Sequence, residues 1–115
     1  MPPVGPYTPA LRAGDWLIVS GQVGLGPDGL ADDFGGQLRQ ALANLDGLLA
    51  EHGARADQVA KTTVFLVDMD DYAELNDIYC DYFGDHRPAR SAVAVAALPI
   101  GALVEVEAWA FCGAD

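Results

Sequence analysis

The chain has 115 residues, 51% of them hydrophobic and 20% charged, which leaves room for one domain with one core and excludes a disordered or low-complexity protein. Six Lys plus Arg stand against seventeen Asp plus Glu, a formal charge of −11. A field of that sign repels phosphate backbones and anionic lipid, so neither a nucleic-acid partner nor a membrane is expected. The first nine residues, Met1 to Pro9, have no basic start and no apolar run, which predicts a cytoplasmic protein without a secretory leader. The longest uncharged stretch, residues 91–104, contains Pro99 and Gly101. It is shorter than the roughly 20 residues a membrane helix needs.

Asp15 to Ser20 is a short apolar run rich in β-formers and predicts a strand. Residues 24–29 break it, with room for one more small strand. From Phe34 to His52 the apolar residues fall at 34, 38, 41, 42, 45, 48 and 49, which is helical spacing, and Gly53 follows as a stop. Val59 to Val67 is β-branched and aromatic, a candidate central strand. Asp70 and Asp71 suit a helix N-terminus. The helix they open carries Tyr72, Leu75, Tyr79, Tyr82 and Phe83 on one side and ends near Gly84. Ser91 to Ala97 alternates valine with alanine, Leu98 to Gly101 reads as a turn, and Leu103 to Phe111 is the last strand. The fold class is α+β: a single domain over 1–115, a mixed sheet, and both helices on one face.

That arrangement leaves the other sheet face to be covered. In the last strand Val104, Val106, Ala108 and Ala110 point one way, and Glu105, Glu107, Trp109 and Phe111 the other. The first set suits the helix-packed face. A face that carries Trp and Phe is rarely left wholly in water, so it is expected to pack against other chains.

Several motifs carry no chemistry. Gly24-Leu-Gly26-Pro-Asp-Gly29 matches G-x-G-x-x-G. However, Pro27-Asp28-Gly29 is turn chemistry, and a ribose-binding acid about twenty residues on would fall inside the helix at Asp46. Ser20 and Ser91 are the only serines and neither sits in G-x-S-x-G. Glu105 and Glu107, two apart on a strand, lie about 7 Å from each other, which resembles a glycosidase pair, but so small a chain leaves little room for a sugar cleft. Cys80 and Cys112 read as reduced thiols, and with His52 and His86 they show no zinc spacing; no metal is expected.

The informative segment is Arg87-Pro-Ala-Arg90-Ser91, followed later by Glu105. Arg90 stands at the mouth of an apolar strand, where a guanidinium must find a partner. One reading is a salt bridge to one of the many acids. The other is a fork that grips a carboxylate ligand through two hydrogen bonds. If the last two strands form a hairpin centred between Pro99 and Ile100, Ala94 faces Glu105 and Ala92 faces Glu107. Those small residues would then leave a pocket beside the carboxylates.

Gly5-Pro-Tyr7, Val19-Ser-Gly-Gln22, Asn44-Leu45 and Val59 to Phe65 resemble the RidA/YjgF-type reactive-intermediate deaminase family. So do Leu75 to Tyr79, Tyr82-Phe83, Pro88-Ala-Arg-Ser91, Leu98-Pro99 and Val104 to Ala108. The motifs run in the family's order over nearly the whole chain. The resemblance implies a chorismate-mutase-like fold and a homotrimer whose sheets line a central barrel, with pockets at the subunit interfaces. It implies hydrolysis of 2-imino acids and their enamines, such as 2-aminoacrylate, to 2-keto acids and ammonia. Arg90 would hold the substrate carboxylate and Glu105 the attacking water. Tyr7, Ser20, Gly21, Asn76 and Ala92 would line the pocket. The imine is already electrophilic, so no cofactor is implied.

The chain departs from the family in places. The stretch from Phe83 to Pro88 is shorter than in many members, Ala92 stands where some relatives carry cysteine, Ala94 replaces a frequent acid, and Trp109 replaces the usual isoleucine. The alternatives on this scaffold are a hydrolase of a related catabolic intermediate and a trimeric binding or sensor protein for 2-keto acids. Ribonuclease activity, attached to the family by name, is disfavoured by the charge and by the lack of a basic aromatic stripe.

Overall fold

The structure, a computed structural model, describes residues 5–113. Met1 to Val4 of the N-terminal stretch therefore lie outside it. The strands are β1 (Ala10–Ala13), β2 (Trp16–Val23), β3 (Leu25–Gly26), β4 (Gly29–Leu30), β5 (Val59–Leu66), β6 (Ala89–Ala94) and β7 (Val104–Phe111). The helices are α1 (Phe34–Glu51) and α2 (Tyr72–Phe83). Five strands form one sheet in the order β1-β2-β7-β5-β6. All neighbours are antiparallel except β5 and β6, so the sheet is mixed. β3 and β4 form a separate small hairpin around Pro27 and Asp28, so the glycine-rich segment is a turn between strands.

Both helices start and stop where local chemistry dictates. Asp33 caps α1 by accepting from the Gly36 amide at 2.8 Å, a contact of the kind that contributes about 1 kcal/mol. Beyond the helix ends, Gly53 (φ 75°) and Gly84 (φ 63°) take the left-handed conformation that other residues adopt at a cost. The apolar stripes of α1 and α2 pack on one sheet face, where Leu38, Leu45, Leu49 and Leu75 are fully buried. They meet Val104, Val106, Ala108 and Ala110 of β7, each with no exposed surface. The buried Gln37 side chain bonds to the Ala31 carbonyl and accepts from the Leu103 amide, which ties α1 to the start of β7.

The last two strands do not form a hairpin. β6 runs parallel to β5 at the sheet edge, and β7 lies on the other side of β5, between β5 and β2. α2 is the crossover that a parallel pair requires. The connection from β6 to β7 passes the end of β5, where the Val95 amide bonds to the Leu66 carbonyl and the Val67 amide to the Leu103 carbonyl. β5 therefore separates the two strands. Ala94 pairs with Leu66 and Ala92 with Val64, while Glu105 lies opposite Phe65 and Val23, and Glu107 opposite Thr63. The expected facing of alanines and glutamates is overturned. β6 also starts at Ala89 and ends at Ala94, two residues earlier at the front and three at the back than the sequence pattern predicts. β1 carries no apolar pattern, since three of its four residues are exposed, and the sequence gives no sign of it.

The alternation of β7 holds. Trp109 and Phe111 are about 40% exposed on the face away from the helices (42% and 40%). Trp16 of β2 packs edge-on against both rings, at 6.0 Å and 5.1 Å between centroids. The open sheet face thus carries a cluster of large aromatic side chains.

Candidate active site

The predicted site residues fall into two groups on opposite faces of the sheet. On the open face a cavity of about 290 Å³ is lined by Tyr7, Ser20, Gly21, Val23, Pro99, Glu105 and Glu107. A β-bulge builds it. Between Val19 and Gln22 the chain of β2 advances three residues while β7 advances two, from Ala108 to Val106, so Ser20 and Gly21 together oppose Glu107. A bulge of this kind bends the strand and re-aims its side chains. The Ser20 hydroxyl donates to the Thr8 carbonyl at 2.7 Å, and its amide to the Pro9 carbonyl at 2.8 Å. These two bonds hold the segment that places Tyr7 at the rim.

Glu105 is half-buried in the cavity wall, with Gly21 against its carboxylate. Burial raises its pKa above the usual carboxylate value, and the negative charge of Glu107 raises it further. The sheet thus presents a carboxyl with an elevated proton affinity, walled by a phenol, a hydroxyl and a glycine.

Arg90 points the other way. It pairs in register with Thr62, whose hydroxyl bonds to Tyr79 of α2, and its own Nη2 donates to Tyr72 Oη at 3.1 Å and Asn76 Oδ1 at 2.9 Å. Its guanidinium carbon lies 5.5 Å from the Tyr72 ring centre and 4.9 Å from that of Tyr79. Among the described residues the one ion pair is Arg55 with Asp57, at 3.0 Å. The salt-bridge reading of Arg90 is therefore not what the structure holds. Ala92, two residues on, shares the face of Arg90 and packs against the core, away from the cavity.

The structure thus brings Tyr7, Ser20, Gly21 and Glu105 together, and separately joins Arg90 with Asn76. It does not bring Arg90 to Glu105 within one chain, and it leaves Ala92 out of the cavity. Sequence reasoning missed Pro99 and Val23 as cavity walls, because both depend on the strand order. It also missed Tyr72 and Tyr79 as partners of Arg90, although their spacing with Asn76, at i, i+4 and i+7, places all three on one helix face.

These features define a class: small α+β proteins with two helices on one face of a mixed sheet and a carboxylate-walled cavity on the other. The chain belongs to the RidA/YjgF family, whose model, described as endoribonuclease L-PSP, matches residues 1–112. It is 41% identical over 112 residues to a RutC family protein of Pyrococcus horikoshii, covering 95% of this chain and 89% of that protein. It is 44% identical over 113 residues to the 2-iminobutanoate/2-iminopropanoate deaminase of Mus musculus, covering 96% of this chain and 84% of the mouse protein. The crystal structure of RidA from an Antarctic Psychrobacter superposes with a TM-score of 0.93 at 35% identity, covering 96% and 91% of the two chains.

Proposed function

We propose that the protein hydrolyses reactive 2-imino acids and their enamine tautomers, such as 2-aminoacrylate, to 2-keto acids and ammonia. The observation that carries this reading is the state of Arg90: in a chain with seventeen acidic residues, it has no carboxylate partner among the described residues. A guanidinium kept free of its own acids is suited to an anionic ligand. Relatives named as 2-iminobutanoate/2-iminopropanoate deaminases give the reading its chemistry.

In this mechanism Arg90 holds the substrate carboxylate and so fixes the imine carbon in place. Glu105, with its raised proton affinity, takes a proton from water as the oxygen bonds to that carbon. That proton passes to the imine nitrogen to give the carbinolamine, which collapses as its hydroxyl proton moves to the nitrogen: the C=O bond forms, the C–N bond breaks, and 2-keto acid and ammonia leave. The imine needs no further activation, so neither metal nor organic cofactor is invoked.

The opposite facing of Arg90 and Glu105 supports a site shared between subunits, with the Glu105 wall from one chain and Arg90 from its neighbour. The aromatic open face supports a homotrimer with the sheets turned inward. The free thiols of Cys80 and Cys112 fit a cytoplasmic protein, and no helix among the described residues is long and apolar enough to cross a membrane.

The test generates 2-aminoacrylate with a lyase and follows pyruvate formation with wild type and with Arg90→Ala. Acceleration by the wild type that is lost in the variant is the expected result. No acceleration, with retained binding of 2-ketobutyrate, would replace this reading by a binding protein.

A further inference from the structure

Among the described residues, every hydrogen-bond and ring partner of the Arg90 guanidinium is uncharged. Nη2 has two hydrogens, and both are engaged, one by the Tyr72 hydroxyl and one by the Asn76 carbonyl oxygen. Nη1 and Nε have no partner among the described residues. The Tyr79 ring lies against the guanidinium at 4.9 Å and is 4% exposed. That ring is itself fixed, because its hydroxyl pairs at 2.7 Å with Thr62, which is fully buried. Thr62 is in turn the strand partner of Arg90. Strand pairing, hydroxyl pair and ring contact therefore close a loop around the arginine. Burial pushes the Tyr79 phenol up, so it stays neutral near pH 7.

We propose that Tyr72, Asn76 and Tyr79 form a neutral cradle that positions Arg90 while leaving its charge uncompensated, with Tyr72 and Tyr79 as positioning residues. An acidic partner would hold the guanidinium as firmly but would neutralise it, and an incoming carboxylate would then have to displace that partner. Hydrogen bonds to neutral oxygens and contact with ring faces orient the fork without this competition. The residue type at position 76 is decisive: an acid there would sit at the 2.9 Å contact that Asn76 now makes. This inference rests on the reading of Arg90 as the carboxylate grip.

The test titrates 2-ketobutyrate into wild type, Asn76→Asp, Tyr72→Phe, Tyr79→Leu and Arg90→Ala. Each protein is also melted thermally, and its steady-state turnover of the enamine substrate is resolved into KM and kcat. Asn76→Asp is nearly isosteric and adds an ion pair. It is expected to keep or raise the melting temperature while binding 2-ketobutyrate at least tenfold more weakly. Tyr72→Phe keeps the ring and loses one acceptor, and is expected to raise KM several-fold with little change in kcat. Tyr79→Leu is expected to weaken binding more than Tyr72→Phe. If Asn76→Asp and Tyr72→Phe both melt and bind as the wild type while Arg90→Ala abolishes binding, the cradle is overturned and the carboxylate grip stands. If Arg90→Ala binds 2-ketobutyrate as tightly as wild type, the grip itself is wrong and the cradle falls with it.

Discussion

Gly21 lies so close to Glu105 that a methyl group on its Cα would stand 2.6 Å from the carboxyl carbon and from Oε1. The bulge of β2 presses bare backbone against the one side chain that the mechanism asks to handle a proton. The carboxylate rests against that backbone, and a larger residue at position 21 would have to push it aside.

Gly21→Ala is accordingly expected to displace the Glu105 carboxyl. A shift of about 1 Å in a group of this kind can cost on the order of 10²-fold in rate. With the enamine as substrate, the loss should appear in kcat/KM, with a much smaller effect in a thermal melt. Turnover within twofold of wild type would show that the carboxyl has room to move.

The raised pKa of Glu105 has a consequence for stability. A carboxyl whose folded pKa exceeds its unfolded one, ordinarily 4.5, favours folding most when protonated. Its contribution therefore declines as pH rises from below that ordinary value through the raised one. Glu105→Gln removes the penalty, so the variant should melt higher than wild type at pH 7 and with no advantage at pH 4. Paired melts at the two pH values check this.

Glu107 acts on the same proton through its charge. Glu107→Gln should lower the pKa of Glu105 and move the acid limb of the pH–rate profile to lower pH, while Glu105→Gln should abolish that limb. An unmoved limb in Glu107→Gln would remove Glu107 from the electrostatics of the site.

Ile100 sits at φ 55° and ψ 22°, in the left-handed region, with half of its surface exposed (50%). A β-branched residue is a poor occupant of that region, which costs an L-residue roughly 1–2 kcal/mol. Asparagine tolerates it better. Ile100→Asn should stabilise the fold by about 1 kcal/mol, a rise of about 4 °C in melting temperature. Pro99, its neighbour, walls the cavity, so the variant also shows whether that turn shapes substrate preference.

Trp109 is the most exposed ring of the aromatic cluster on the open face. A lysine there would place a charge where the proposed trimer buries its sheets. Light scattering should give about three times 12.1 kDa for wild type and a smaller species for Trp109→Lys. A wild-type monomer would overturn the assembly.

Much of this is legible in the chain itself. The spacing of Leu38, Leu42, Leu45 and Leu49 repeats every three or four residues, and Gly53 ends it, so α1 follows from local rules. The alternation of β7, small apolar residues against Glu105, Glu107, Trp109 and Phe111, is enough to place the helices on one face and an aromatic surface on the other. Arg90 and Glu105 stand out because a guanidinium at a strand mouth and a carboxylate beside large aromatics both need a reason.

What the sequence does not contain is the order of strands. Leu98 to Gly101 has the composition of a tight turn, yet the chain there crosses the end of β5, held by bonds at Leu66 and Val67 that no local pattern announces. That crossing decides which residues meet: it removes Ala92 and Ala94 from the glutamates, sets Glu105 between Val23 and Phe65, and turns Arg90 toward α2. The periodicity of a strand tells which side chains share a face, because alternation is a property of one backbone. Which strand lies beside it depends on contacts between residues far apart in the chain, and only the folded structure settles those.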